Sequence, residues 1–301
     1  MQPIAAWLVE RPRNGIFGLA VTLLLPMSPI FSGLVMAHLV FVNGIRLPAI
    51  QALVTVLLLV LLMWLMSVSA IQIAASAITW WVPVFLLATL ARHWRSITLA
   101  LQVSAIVAML GTIGFFVVLG DPTEYWNNAI VASIEFARQA GLDEQANMLL
   151  NSKPAVVPQM TMLFVSAIWT FYVSVTLLGY VLFQLLPGKD GVNGRFRDLN
   201  FGRVVAILMA IASVGAMLTG VVWLQNLGFV SFIVFWLQGL AVIHWLHAAA
   251  RLPSFVLIMV YASLPFLNVL LVLALAVLGY IDVWFDFRGR LRQRNTTGFE
   301  K

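Results

Sequence analysis

The sequence contains no cysteine, and only 9% of its 301 residues are charged. The absence of cysteine excludes disulfides, thiol catalysis and cysteine-based zinc or iron–sulfur sites. Soluble domains carry about 25% charged residues, so a chain this poor in charge is not predicted to fold as a water-soluble globule. Disorder is excluded as well, because the chain has too much apolar surface to remain unfolded.

Acidic residues are missing from the middle of every long apolar stretch. All 11 Asp and Glu residues lie in loops, in the tails or at the ends of apolar runs. Proton- and sodium-coupled carriers usually depend on carboxylates within the membrane, so the sequence does not predict an ion-coupled transporter. A phosphate-binding P-loop is excluded too, because Lys189 is followed by Asp190 instead of Ser or Thr, and position 183 is Phe instead of Gly.

Apolar residues dominate what remains. They make up 62% of the chain, and the mean hydropathy is +1.00. This composition predicts an all-α, polytopic transmembrane helical bundle, because one helical span needs about 20 apolar residues. The run over 16–44 is either one kinked span or two short segments, since Pro26 and Pro29 interrupt it. With it, a single membrane domain over 1–301 would have eight or nine segments. The other spans are predicted near 49–67, 71–91, 97–119, 158–186, 204–222, 227–249 and 253–280.

One sizeable insert, over 120–157, interrupts the apolar runs. Asp121 is a typical helix N-cap, and the proline and glutamate that follow it favour a helix over 122–140. With five acidic and two basic residues, the insert is net negative. We interpret it as an amphipathic helical hairpin on the membrane surface; the alternative is a lid over a site. The apolar residues that recur every four positions are Trp126, Ile130 and Ile134.

The net charge of +6 comes from basic residues in short loops and in the tail over 282–301. Such residues first indicate topology, because loops rich in Lys and Arg tend to stay in the cytoplasm. The loop 187–203 is therefore predicted to be cytoplasmic and the insert 120–157 to lie outside. Binding of nucleic acid is not expected, and the N-terminus does not have the form of a signal peptide.

Several short motifs follow one another in a distinctive order along the chain. The two most specific are QGLAVIH at 238–244 and DVWFDFR at 282–288. Others include RNG at 13–15 and WVP at 81–83. The chain resembles the YybS-like family of uncharacterised bacterial integral membrane proteins, which is distantly similar to the S components of energy-coupling-factor vitamin transporters. This resemblance implies a protein of the bacterial cytoplasmic membrane with a compact helical bundle and a small-molecule pocket.

Four polar residues stand out on the penultimate apolar run. At 100° per residue, His247 and Arg251 lie on the same helix face as His244, while Gln238 lies about 120° away. The His pair lacks the spacing and the glutamate of a zinc-protease motif. One interpretation is a wall of a site for an anionic ligand, with both imidazoles facing the bundle interior. The alternatives are a polar cluster near the lipid headgroups and a metal site. The candidate ligand-binding residues are Gln238, His244, His247 and Arg251.

A second cluster follows the last apolar run, where charged residues alternate with aromatic ones. It can be an interfacial aromatic belt with an Asp286–Arg290 helix pair. It can also be a docking surface for a protein partner, formed by Asp282, Asp286, Arg288 and Arg290. The leading functional hypothesis is a non-enzymatic membrane protein without a cofactor that binds a small solute or lipid headgroup, as an S-component-like transport subunit. The alternative is a membrane scaffold that binds a protein partner through its cytoplasmic loops and tail.

Overall fold

The fold is that of a computed structural model, which describes residues 2–66, 69–188, 192, 194–263 and 268–291. The described residues form α-helices and two short 3₁₀-helices, Val157–Gln159 and Phe196–Asp198. The chain divides into two compact units, one of 1–101 with 170–199 and the other of 102–169 with 200–301. In chain order the helices are α1 (Gln2–Glu10), α2 (Pro12–Leu24), α3 (Ser28–Asn43), α4 (Arg46–Leu65), α5 (Ile71–His93), α6 (Ile97–Leu119), α7 (Pro122–Gln139), α8 (Asp143–Val156), α9 (Met160–Gln184), α10 (Gly202–Thr219), α11 (Val222–Ala248), α12 (Ser254–Ser263) and α13 (Asn268–Phe285).

Six helical stretches in the described part of the chain are long and apolar enough to cross a membrane. The all-α, multi-pass class is therefore confirmed, whereas the predicted count of eight or nine segments is not. Three shorter apolar stretches of 10–17 residues are Ser28–Asn43, Ser254–Ser263 and Leu270–Phe285. The six stretches are Arg46–Leu65, Ile71–His93, Ile97–Leu119, Asp143–Gln184, Gly202–Thr219 and Val222–Ala248.

Proline separates the first apolar run into two helices. Helix α2 ends at Leu24 and α3 begins at Ser28, with Met27 between them in the left-handed conformation (φ 60°). Of the two alternatives for 16–44, the structure thus has two short helices. Proline does not break every helix, because Pro83 lies inside α5. The single span predicted over 253–280 covers α12 and most of α13, and residues 264–267 between them lie outside the described part.

The first unit contains a helix end that is capped by a distant arginine. The guanidinium of Arg92, near the end of α5, donates to the carbonyl oxygens of Phe41 and Val42 (3.3 Å for Val42). These carbonyls lie in the last turn of α3, where no later residue of the helix can donate to them. Gly44 ends the helix with φ 80° and packs beside the guanidinium. Arg92 therefore joins α3 to α5, a role that sequence analysis did not predict.

The second unit contains a backbone-to-backbone contact between α11 and α13. A Cβ atom on Gly239 would overlap the carbonyl oxygen of Leu275, and one on Gly279 would overlap that of Phe235. Small residues let helix backbones approach closely where lipid gives no hydrophobic driving force between helices. Because the two backbones are this close, polar side chains of α11 can reach those of α13.

The insert over 120–157 forms the helices α7 and α8. The Asp121 carboxylate accepts a hydrogen bond from the backbone N–H of Thr123 (2.9 Å), so the predicted N-cap is confirmed. The three residues with four-residue spacing are buried and pack against α8 and against Phe115 and Met160 of the adjoining helices. The indole N–H of Trp126 donates to the Thr161 hydroxyl (2.8 Å). The apolar face of α7 therefore packs on protein.

Candidate functional site

Helix α11 carries the predicted ligand-binding residues at two separate places. Gln238 is fully buried beside α13, whereas the histidines lie at the end of the helix. The side-chain oxygen of Gln238 accepts the backbone N–H of Phe201 (2.8 Å), and its Nε2 donates to Oδ2 of Asp282 (3.2 Å). Gln238 and the histidines contact different neighbours because they lie about 120° apart around the helix.

A buried ion pair completes the environment of Gln238. Nη2 and Nε of Arg288 donate to Oδ2 of Asp282 at 2.6 and 3.1 Å, and the two side chains are 7% and 1% exposed. Oδ1 of Asp282 has no hydrogen-bond partner within the described residues. Buried charges require such pairing, because transfer of an isolated ion out of water is unfavourable by several kcal/mol.

The geometry predicted for the charged residues after the last span needs correction. Helix α13 ends at Phe285, and Asp286 has φ 44°, so the chain changes direction there. The turn brings Arg288 back onto Asp282, and these two side chains form an ion pair, whereas no ion pair joins Asp286 to Arg290 among the described residues. Asp282 and Arg288 are therefore buried, whereas Asp286 and Arg290 are exposed. Of the four predicted partner-binding residues, only Asp286 and Arg290 lie on the surface that a docking partner could reach.

The second place on α11 is a corner between α11 and α12, formed by His244, His247, Arg251 and Tyr261. A hydrogen bond joins Nε2 of His244 to the Tyr261 hydroxyl (2.9 Å), and another joins Nδ1 of His247 to the carbonyl oxygen of Leu252 (3.0 Å). Both imidazoles are partly buried, and Arg251 is exposed. We call this cluster the α11–α12 corner.

A tight turn produces this corner. Ala250 adopts φ 55°, and the N–H groups of Ala250 and Arg251 donate back to the carbonyls of His247 and Leu246 (3.0 and 2.9 Å). These bonds end α11 and reverse the chain, so that α12 runs back past His244. The turn therefore places Arg251 four residues after His247, directly behind the end of α11.

The chemistry of the corner follows from its hydrogen bonds. A carbonyl oxygen can only accept, so Nδ1 of His247 must carry the hydrogen. Its Nε2 is then an acceptor in the neutral ring and a second donor in the charged one. Among the described residues, no three His, Asp or Glu side chains come together as a metal-binding group. Nε2 of His247 can therefore donate to an anionic ligand only when the ring is protonated, whereas the guanidinium of Arg251 always carries donors.

Two partners of the predicted residues were missed in the sequence. Phe201 contributes its backbone N–H, a group that every residue except proline has, so its residue type could not indicate this contact. Tyr261 lies in an apolar run, where an aromatic residue predicts packing or an interfacial position. Both contacts connect residues that are 17 or more positions apart, so no local pattern could have indicated them.

The family described as Predicted membrane protein (DUF2232) matches residues 16–283 of the chain. The chain belongs to this family. The DUF2232 region includes Gln238, the α11–α12 corner and Asp282, and it ends before Arg288. Membership supports an uncharacterised family of membrane proteins, but it does not support the YybS-like assignment or the similarity to S components. No curated protein matches the chain, and no solved structure does.

Proposed function

We propose that this DUF2232 protein is a non-enzymatic, multi-pass protein of the bacterial cytoplasmic membrane that binds an anionic group at the α11–α12 corner. The anionic group belongs to a lipid headgroup or to a small solute. The observation that carries the proposal is the clustering of His244, His247 and Arg251 where an apolar helix ends. As a transport subunit, the protein would need a partner that supplies energy.

Position and hydrogen bonding support this proposal. Helix α11 is long and apolar enough to span a membrane, so its end reaches the headgroup layer. The bond from His247 to Leu252 fixes the orientation of one imidazole, and the bond between His244 and Tyr261 fixes the other. In its protonated form the oriented ring of His247 can donate from Nε2 to an anion with little loss of side-chain entropy, and the guanidinium of Arg251 adds a charge-assisted hydrogen bond.

Gln238 has a positioning role in this proposal. Its amide bonds to Phe201 and Asp282 and is fully buried. A ligand at the corner would therefore contact His244, His247 and Arg251, while Gln238 holds α11 against α13. The Gln238→Leu variant should consequently lower stability and leave the affinity for the ligand nearly unchanged.

Lipid-binding measurements on the purified protein test the proposal. We expect His247→Ala and Arg251→Ala each to weaken binding of a short-chain anionic phospholipid about tenfold, because a hydrogen bond to a charged group contributes about 1.5–3 kcal/mol. His93→Ala is the matched control, since His93 is an exposed histidine at the end of another apolar helix. Binding of inorganic phosphate with the same dependence on these residues would indicate a small solute. Equal effects of His247→Ala and His93→Ala would exclude the corner as a site.

The second candidate function is a membrane scaffold that binds a protein partner through its tail. Exposed aromatic side chains beside Asp286 and Arg290 favour it: Trp284, Phe285 and Phe287 are 38–51% exposed. Replacement of Asp286 and Arg290 by alanine should then remove a stoichiometric partner from the purified complex and leave lipid binding intact. Unchanged stoichiometry would argue against the scaffold.

A further inference from the structure

A groove of about 490 Å³ lies between α7 and the end of α8. Its volume is within the range of about 300–1,000 Å³ that is typical of small-molecule sites. Three of its lining residues are polar and four are apolar, and none of them belongs to the α11–α12 corner. The residues that line it are Thr123, Asn127, Leu150, Lys153, Pro154, Val157 and Pro158.

Packing of the hairpin places this groove near the ends of two apolar helices. The buried face of α7 and α8 contacts Phe115, one turn before α6 ends, and Met160, where α9 begins. Both helices belong to stretches that can span a membrane. If α8 lies on the membrane surface and the span of this stretch begins near Met160, the groove lies at the level of lipid phosphates and glycerol groups.

The polar lining residues include one cation. Lys153 is partly buried, and the described residues provide no ion pair for its ammonium group. Asn127 lines the same groove and has amide donors. An ammonium group and an amide together can hold a phosphate oxygen through charge-assisted hydrogen bonds.

The remaining lining and the charge of the insert restrict the ligand further. Leu150 and Pro158 provide an apolar wall, which suits the glycerol and upper acyl region of a lipid better than a free ion. The insert contains five acidic and only two basic residues, so a ligand with a net negative charge would be repelled. A zwitterionic headgroup avoids this repulsion, because its amine balances the phosphate.

We propose that the groove between α7 and α8 binds a zwitterionic phospholipid, with the phosphate held by Lys153 and Asn127 and the glycerol region against the apolar wall. Because the groove and the corner share no residues, this proposal is independent of the function proposed above. Bound lipid would anchor the hairpin to the membrane surface.

Native mass spectrometry of the full-length protein, exchanged into nanodiscs of defined composition, tests this proposal. We expect one phosphatidylethanolamine to remain bound to the unmodified protein, and Lys153→Gln to reduce its occupancy at least tenfold. Asn127→Ala should reduce occupancy to a smaller extent. Arg138→Gln is the matched control, since it removes the other basic residue of the insert, which does not line the groove.

Three outcomes would overturn the proposal. Equal occupancy in the Lys153→Gln and Arg138→Gln proteins would exclude a phosphate contact at Lys153. Retention of phosphatidylglycerol in preference to phosphatidylethanolamine, if it is lost in the Lys153→Gln protein and kept in the Arg251→Ala protein, would contradict the zwitterionic specificity of the groove. Displacement of the lipid by millimolar inorganic phosphate would identify a site for free phosphate. Circular dichroism must show the same helix content in all variants, and Asn127→Ala tests the groove without changing any charge.

Discussion

The buried pair of Asp282 and Arg288 makes a large effect on stability predictable. Oδ2 of Asp282 accepts three hydrogen bonds, one from Gln238 and two from Arg288. The Asp282→Asn substitution leaves the guanidinium buried without its counter-charge. Removal of one partner from a buried pair destabilises proteins by about 3–5 kcal/mol, whereas an exposed pair contributes about 0–1 kcal/mol. We therefore expect Asp282→Asn to lower the free energy of unfolding by about 3 kcal/mol or more.

Reversible unfolding in mixed detergent micelles, followed by tryptophan fluorescence, measures this change. Asp286→Asn is the matched control, because Asp286 is exposed and four residues away, and we expect it to change stability by less than about 0.5 kcal/mol. A double variant with Asp282→Leu and Arg288→Met should recover much of the loss, since an apolar pair of similar volume leaves no buried charge. If Asp282→Asn and Asp286→Asn destabilised the protein equally, the reasoning from burial would be refuted.

Four further substitutions have expected outcomes. Gly239→Ala should prevent the close packing of two helices and abolish a folded monomer in size-exclusion chromatography, whereas Gly111→Ala, which meets no atom within 4 Å, should be tolerated. Hydrogen bonds from the side chain of Thr123, and to a smaller extent from its backbone, lower the pKa of Asp121 below its ordinary value of 3.8. The charged cap should therefore stabilise α7 at pH values above 3.8. This contribution should be lost as the pH falls through the lowered pKa. Circular dichroism should show this acid-induced loss in the natural protein and not in Asp121→Asn. Arg92→Gln should lower the free energy of unfolding by about 1.5 kcal/mol, through lost bonds to carbonyls, and speed hydrogen exchange at the end of α3.

Features that depend on neighbouring residues were accessible from the sequence. The apolar run before His93 predicted α5, and the Asp-Pro pair at 121–122 predicted the beginning of α7. Helix caps and apolar runs act over a few residues, so their physical cause lies within a short stretch of chain. The four-residue spacing of the apolar residues in α7 indicated its buried face for the same reason. The proline-rich run remained ambiguous, because proline both kinks and ends helices.

The candidate site depended on contacts between distant parts of the chain. The bond between Gln238 and Asp282 joins residues 44 positions apart, and the close approach of α11 and α13 at Gly239 makes it achievable. The turn at Asp286 then buries Asp282 and Arg288 as an ion pair, although both were predicted to lie on the surface. Composition and periodicity report how much apolar surface each segment must bury. They do not report which polar side chains meet once that surface is buried, because that depends on helix rotation and separation in three dimensions.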